Sequence, residues 1–217
     1  TPVVADVYDS VLSRWRTILV GGYGAGGRGY YALDVTTPTS PILLWEISNT
    51  TTGFTNLGLS YGNPIITKTS PGTWVVALRS GVNNVSSGDG IGRLYIVNAV
   101  SGAKVTEVST ATGSTGTPSN LSRIEGWVDD DTNNNVLRFY GGDMLGNFWR
   151  FDWDNLIAPS GNEALLMGTA QTSAGAAQPI TTRPVLTSFT SGGGTYTLEG
   201  LTDTLLGGKY KGTIELA

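Results

Sequence analysis

The 217-residue sequence contains neither cysteine nor histidine. This excludes Ser-His-Asp and Cys-His nucleophilic catalysis, zinc sites with imidazole or thiolate ligands, haem ligation by histidine, and disulfides. Charged residues make up only 14% of the chain, and the formal net charge is −4. Because negative charge disfavours phosphate backbones and anionic lipid surfaces, we expect no nucleic-acid partner. No apolar run approaches the roughly 20 residues that span a bilayer.

The residues that are abundant favour a folded all-β chain. Hydrophobic residues account for 39% of the sequence, which is typical of a domain with a core, and 31 glycines separate short apolar runs. Many short strands joined by many turns are expected from this pattern, and no stretch shows sustained helical periodicity. Since the chain begins at Thr1 without methionine or a signal peptide, we expect it to be a processed or excised piece of a longer protein.

One supersecondary unit recurs along the chain and is clearest in residues 134–152. There, a short strand is followed by Gly-Gly-Asp turn chemistry and by a second, aromatic-rich strand. Each copy closes on the pattern aromatic-x-apolar-Asp/Asn, at Tyr31/Asp34, Tyr95/Asn98 and Trp149/Asp152. Because such a unit cannot bury both of its faces alone, the repeat predicts the blades of a β-propeller.

Four blade-like units are predicted, at about 1–47, 61–108, 123–157 and 178–190. We therefore assign residues 1–190 to a partial β-propeller and leave 191–217 as a β-rich tail without assignment. Residues 109–120 are rich in Ser, Thr, Gly and Pro and are expected to form a solvated connection. Three to four blades are fewer than most closed propellers have, so we expect the chain either to be a fragment or to pair its open edges with another element.

The loop at residues 23–29 contains Gly24-x-Gly26-x-x-Gly29, a formal match to the dinucleotide fingerprint. That fingerprint requires a helix to follow, so that helix N-terminal amides hold the pyrophosphate. Residues 30–35 instead alternate like a strand. A glycine-rich hairpin loop is therefore favoured, and no nucleotide is expected.

Several long motifs occur in the same order as in a known family. Together they resemble the C-terminal β-propeller of the PilY/PilC family of type IV pilus tip proteins, and they lie at residues 15–36, 61–66, 74–99, 140–152 and 178–184. The resemblance implies a quinoprotein-like propeller without a quinone, located at the pilus tip, the outer membrane or the bacterial cell surface. It also implies a non-catalytic role in pilus assembly, in opposing retraction and in adhesion. The expected partners are pilins, minor pilins and a host-cell or surface receptor.

Some members of this family carry a calcium loop just before the YxGD motif. The corresponding segment here offers Asp129, Asp131 and Asn133 at alternate positions, and Asn135 as a further oxygen donor. Leu137 stands where the resemblance places a final carboxylate, which lowers the expected affinity. The alternative is an Asp/Asn-rich hairpin turn. The loop at residues 83–89 could also hold a cation, but it lacks regular ligand spacing and is more typical of a turn.

Two other classes of function remain open. A carbohydrate-active propeller enzyme would need an acid/base pair of carboxylates drawn from Asp89, Asp129, Asp131 or Asp143 in one pocket. A lectin-like module would use exposed aromatic rings. The tryptophans at 45, 74, 127, 149 and 153 are instead interpreted as core packing, because Trp149 repeats the position of Tyr31 and Tyr95.

Overall fold

A computed structural model describes residues 1–69, 72–128, 132–133, 135–153, 163–191 and 194–200. Within these ranges the chain forms fourteen β-strands arranged in three four-stranded antiparallel sheets and one two-stranded sheet. This confirms the predicted all-β class. In the same part of the chain, no helix is long and apolar enough to cross a membrane.

Each four-stranded sheet is a simple meander in which consecutive strands pair. The first contains β1 (Val3–Asp9), β2 (Arg14–Gly22), β3 (Gly29–Asp34) and β4 (Ile42–Ser48). The second contains β5 (Ile65–Lys68), β6 (Trp74–Arg79), β7 (Arg93–Asn98) and β8 (Lys104–Ser109). The third contains β9 (Arg123–Val128), β10 (Val136–Gly142), β11 (Asn147–Asp152) and β12 (Glu163–Thr169). The last pair is β13 (Val185–Ser191) and β14 (Gly194–Gly200).

Neighbouring sheets meet through equivalent strands. β1 contacts β5 and β9 contacts β13, so the first strands of successive sheets lie side by side, whereas β8 contacts β12 at the opposite edge. We call β1, β5, β9 and β13 the inner strands. Because every sheet is a meander, the inner strands all run in the same direction, and their N-terminal ends meet at one end of the assembly.

The core lies between the sheets. Val7, Ile18 and Tyr30 of the first sheet pack against Val76 and other residues of the second, and all are shielded from solvent. A second cluster lies between the second and third sheets and includes Val75, Ala77, Phe139, Trp149 and Phe151. Alternate residues of β6 thus face opposite neighbours, as the two-residue period of a strand requires. Each sheet needs both neighbours to bury its apolar faces.

The glycine-rich loop at residues 23–29 joins two antiparallel strands. The Tyr23 N–H donates to the Gly29 carbonyl at 3.2 Å, and Gly24 has a φ of 61°, a conformation that glycine adopts without steric cost. The residues that follow form β3 and not a helix. This is the hairpin loop that the alternation of residues 30–35 predicts.

Two segments differ from the sequence-based expectations. β12 was not predicted, and it completes the third sheet from residues beyond the predicted unit 123–157. The connection at 109–120 is exposed at residues 109, 111 and 114–117, as expected, but Thr110 and Ser119 are buried and the Ser119 N–H donates to the Gly90 carbonyl at 2.8 Å. β14 lies within the β-rich tail predicted at 191–217, and residues 201–217 of that tail lie outside the described residues. The division into domains stays a prediction.

Candidate functional site

The candidate calcium loop connects β9 to β10. Asp129 and Asp131 lie outside the described residues, so the structure places only two of the four predicted ligands. The Asn133 side-chain oxygen accepts the N–H of Asn135 at 2.8 Å, which is an Asx turn of the kind expected at a hairpin. The Asn135 side-chain oxygen is shielded from solvent and has no hydrogen-bond donor among the described residues. The described part of this loop therefore has both the Asx turn expected of a hairpin and, at Asn135, a side-chain oxygen that accepts no hydrogen bond from a described residue.

The candidate calcium loop is anchored to the neighbouring sheet. Asn135 forms a parallel bridge with Lys68, the last residue of β5. In the part of the chain that the structure describes, no cluster of three or more acidic side chains could by itself hold a metal ion. Any cation at this loop would therefore depend on Asp129 and Asp131, and the metal assignment stays a prediction.

The loop at residues 83–89 is organised by protein hydrogen bonds. Arg93 donates to both carboxylate oxygens of Asp89 at 2.6 Å, and this pairing is the main cause of a lowered pKa of Asp89. The Asn84 side chain is fully buried, and its amide N–H donates to the Ile91 carbonyl at 3.0 Å and to the Asn56 carbonyl at 3.3 Å. Because a guanidinium already occupies the Asp89 carboxylate, the loop resembles a stabilised turn more than a cation site.

Asp143 is fully buried and accepts five hydrogen bonds. One oxygen accepts the backbone N–H groups of Leu145 and Asn147 at 3.0 and 2.9 Å. The other accepts the Ser119 hydroxyl at 3.1 Å, the Asn147 side-chain amide at 3.2 Å and the Trp149 indole N–H at 3.0 Å. The carboxylate therefore fixes the β10–β11 turn and joins it to the connection between the second and third sheets.

These contacts bear on the carboxylate pair of the enzyme hypothesis. Asp143 has no solvent access, and Asp89 is bound by Arg93, while Asp129 and Asp131 are not described. Two cavities lie along the inner strands, and Glu125 is the one carboxylate among their described lining residues. In the described structure, no two of the candidate carboxylates share a cavity, so the geometry offers no acid/base pair.

The polar residues that end the third strands act as turn caps. The Asp34 side chain accepts the N–H of Thr36 at 2.9 Å, and the Asn98 side chain accepts the N–H groups of Val100 and Ser101 at 3.0 and 2.9 Å. Asp152 forms an ion pair with Arg150 at 2.8 Å. These residues are therefore structural, as their position in the repeat indicates.

Asp34 also belongs to a buried charge network. Arg16 bridges Asp9 at 2.9 Å and Asp34 at 3.1 Å. Burial alone would raise the pKa of Asp34, but the hydrogen bonds from Thr36 and the charge of Arg16 outweigh it, so that the pKa is lowered. Arg28, by contrast, pairs with no carboxylate among the described residues and donates to the Asn83 carbonyl.

The aromatic positions of the repeat are mainly core residues. Tyr95 is fully buried and Trp149 is 4% exposed, whereas Tyr31 is half-buried. Trp45 is also buried, and its indole N–H donates to the Ala99 carbonyl at 3.0 Å. The exposed tryptophan is Trp15, which is 60% exposed and which the sequence analysis did not single out.

Sequence analysis also missed Arg79, whose guanidinium is fully buried without a carboxylate partner among the described residues. Its N–H groups donate to the carbonyls of Ser122 at 2.8 Å, Tyr61 at 3.0 Å and Asn63. The guanidinium also lies 5.9 Å from the centroid of the Tyr30 ring. Burial is the main cause of a lowered pKa of Arg79. The only sequence signal is a charged residue at the end of the otherwise apolar run 74–78.

Comparison with known proteins places this architecture in a family. The family model described as the PilY1 beta-propeller domain matches residues 1–202. The chain belongs to the PilY1 family. The match includes the β13–β14 hairpin and therefore extends beyond residue 184, where the last of the resembling motifs ends. It also confirms that the three meander sheets are propeller blades.

Individual PilY1 relatives are similar over most of this chain. A Type IV pilus biogenesis factor PilY1 homolog from Xylella fastidiosa is 37% identical over 184 residues, which are 83% of this chain and 14% of the relative. Type IV pilus biogenesis factor PilY1 from Pseudomonas aeruginosa strain PAO1 is 36% identical over 164 residues, or 75% of this chain and 13% of the relative. The chain thus spans about one seventh of these curated relatives.

A solved structure supports the same assignment. The crystal structure of the Pseudomonas aeruginosa PilY1 C-terminal domain matches with a TM-score of 0.71 and 33% sequence identity. The match covers 86% of this chain and 40% of that domain. The described blades therefore correspond to part of a larger propeller, as the partial-propeller prediction states.

Proposed function

We propose that this chain is a propeller segment of a non-catalytic type IV pilus biogenesis factor that supports pilus assembly, opposes retraction and contributes to surface adhesion. The observation that carries the proposal is sequence similarity across most of the chain to proteins named as Type IV pilus biogenesis factors. The relatives are named as biogenesis factors and not as enzymes. Residence at the pilus tip, the outer membrane or the cell surface follows from such a role.

The arrangement of the carboxylates supports a non-catalytic role. General acid/base chemistry on a glycosidic bond needs two carboxyl groups about 5 to 9 Å apart and open to a substrate. Asp143 uses both oxygens for internal hydrogen bonds, and Asp89 is bound by Arg93. The described carboxylates thus hold the fold together, which suits a module that assembles with other proteins.

The expected partners are pilins and minor pilins, together with a host-cell or surface receptor. We would crosslink intact cells that produce the tagged full-length protein, shear off the pili, and identify the crosslinked peptides by mass spectrometry. The proposal expects the protein in the sheared pilus fraction with crosslinks to pilins. A protein that stays entirely with the cell body and crosslinks to no pilin would contradict it.

Calcium modulation is a further part of the proposal. The Asn135 side-chain oxygen has no hydrogen-bond donor among the described residues, and it lies on the same hairpin as Asp129 and Asp131. Oxygen ligands at alternate positions suit calcium, although Leu137 supplies no carboxylate. Bound calcium would order the loop next to the Lys68 end of β5 and so stabilise a neighbouring surface.

Isothermal titration tests the calcium site directly. We expect saturable binding by the wild-type protein and its loss in the Asp129→Ala/Asp131→Ala variant, with Asp6→Ala as a matched control. Leu137→Asp should tighten binding, because it adds an anionic ligand where the loop lacks one. No binding heat up to millimolar calcium in the wild type, or equal binding by the double variant, would remove calcium from the account.

A lectin-like role is the second candidate, and an exposed aromatic pair favours it. Tyr8 and Trp15 are 41% and 60% exposed, and their ring centroids lie 5.6 Å apart in an edge-to-face arrangement. Such rings present apolar faces that a sugar can cover. Glycan-array binding by the wild type that disappears in Trp15→Ala would support this candidate, and an array without signal would reject it.

A further inference from the structure

A cavity of about 390 Å³ opens where the inner strands begin. The start of β1, the start of β5 with the residues ahead of it, the start of β9 and the residue two positions ahead of β13 all line this axial cavity. Seven of its ten lining residues are apolar, and the other three carry polar side chains. The aliphatic walls include Val3, Ile65, Ile66 and Ile124, and the polar groups are Asn63, Arg123 and Arg183.

The three polar groups lie at the beginnings of the inner strands of successive sheets. Asn63 and Arg183 each precede a proline and a pair of aliphatic residues that begin an inner strand. Arg123 begins β9 and pairs with Gly142, the last residue of β10, so it lies at the same end of its own sheet. All three polar groups therefore lie at the mouth formed by the beginnings of the inner strands, and two of the three are arginine.

The axial cavity carries excess positive charge. Arg123 is exposed and has no hydrogen bond or ion pair with any described residue, whereas Arg183 forms an ion pair with Glu125. The buried Arg79 lies directly behind, since a side chain at Gly62 would touch both the Arg79 guanidinium and the Arg123 side chain. The charges of Arg123 and Arg183 contribute to the lowered pKa of Arg79, after its burial.

Two guanidinium groups, those of Arg123 and Arg183, thus line the cavity, and the one described carboxylate that pairs with either of them is Glu125. The net charge of the whole chain is −4. The positive patch is local and does not reflect the overall composition. A planar guanidinium pairs with a carboxylate through two parallel hydrogen bonds, and aliphatic walls favour a ligand with an apolar body. Inorganic phosphate would satisfy the charge but would leave the aliphatic walls without a partner.

We propose that the axial cavity binds an aliphatic carboxylate, with its head between Arg123 and Arg183 and its body against Val3 and Ile66. A free carboxylic acid and the C-terminal residue of a peptide present the same chemistry. The inference is independent of the pilus role, because it concerns the chemistry of the cavity alone.

The test uses isothermal titration of the full-length protein with hexanoate and with neutral hexanamide, in low salt. We expect hexanoate to bind and hexanamide to bind at least roughly tenfold more weakly, since a charge-assisted pair distinguishes them. Arg123→Gln should weaken hexanoate binding by a similar factor. Arg14→Gln removes the same charge at the start of β2, which is the end of the first sheet away from the cavity, and should leave hexanoate binding unchanged.

Further probes separate the sources of the carboxylate and control for folding. The dipeptide Ile-Val with a free C-terminus, compared with its C-terminal amide, tests peptide recognition. If the free dipeptide binds more tightly than hexanoate, a peptide C-terminus is the preferred source of the carboxylate. Thermal unfolding of Arg123→Gln checks that this exposed substitution leaves the fold intact. The proposal is overturned if hexanoate and hexanamide bind equally, or if neither binds at millimolar concentration. It is also overturned if Arg14→Gln weakens binding as much as Arg123→Gln. Binding of inorganic phosphate as tight as that of hexanoate would overturn it as well.

Discussion

Replacing Arg79 with methionine should destabilise the fold more than any other single loss of an arginine described above. The substitution keeps much of the apolar stem but removes a guanidinium that serves the carbonyls of Tyr61, Asn63 and Ser122. These carbonyls belong to the chain segments that enter β5 and β9. Arg79 therefore joins the second sheet to the segments that lead into two inner strands.

The magnitude follows from the groups left without a donor. Each buried polar group that loses its partner costs about 1–3 kcal/mol, and relief of the buried positive charge offsets part of the total. We expect a net loss of about 3 kcal/mol in the free energy of unfolding. For a chain of this length, that corresponds to a fall in melting temperature of roughly 6–12 °C. Arg79→Lys should recover only part of the loss, because an ammonium lacks the planar fork.

The assay is urea and thermal unfolding followed by tryptophan fluorescence and circular dichroism. Arg28→Met is the matched control, since Arg28 donates to one carbonyl in a half-buried loop and its loss should cost less than about 1 kcal/mol. Equal effects of the two substitutions, or an Arg79→Met protein as stable as the wild type, would refute the reasoning.

Three further predictions concern the polar network. Asp143→Asn places an amide N–H group against existing donors and should cost about 2–4 kcal/mol in unfolding experiments, whereas Asp6→Asn, an exposed control, should change stability by less than about 0.5 kcal/mol. Asp34 has a pKa below its ordinary value of 3.8, so its stabilising contribution is present above that value and is lost as the pH falls through the folded pKa. Asp34→Asn should therefore reduce the loss of unfolding free energy on acidification, measured by urea unfolding at a series of pH values. An unchanged pH dependence on the acid side would contradict this. Partial burial and the hydrogen bond to Glu46 raise the pKa of Tyr23 to about 12, so Glu46→Gln should bring this pKa back towards 10. An ultraviolet titration measures it, with the Tyr23→Phe protein as the reference that lacks the Tyr23 signal. No change in the titration would count against the pairing.

Local sequence patterns were sufficient to predict much of the fold. Alternation in residues 30–35 together with the glycine-rich loop before them predicted the β2–β3 hairpin, because turn chemistry and strand periodicity act over a few residues. The caps at Asp34 and Asn98 follow from the same short-range chemistry. β12 was missed because its side chains are half-buried or exposed and show no alternation of apolar and polar residues.

The site residues were less accessible to sequence reasoning. Arg79 is separated from its acceptor at Ser122 by 43 positions, and Asp143 accepts from Ser119 at a separation of 24. Such contacts depend on how blades pack, which a local pattern does not encode. The polar groups of the axial cavity became visible only when the packing of the inner strands brought Arg123 and Asn63 to one cavity.

The central claim is that the full-length protein acts in pilus biogenesis and opposes retraction, and counting pili on intact cells tests it most directly. We would delete the gene, restore it, and separately remove the pilus retraction motor from the deletion strain. The account predicts few surface pili in the deletion strain, recovery with the restored gene, and partial recovery when retraction is abolished. Normal numbers of surface pili in the deletion strain would contradict it.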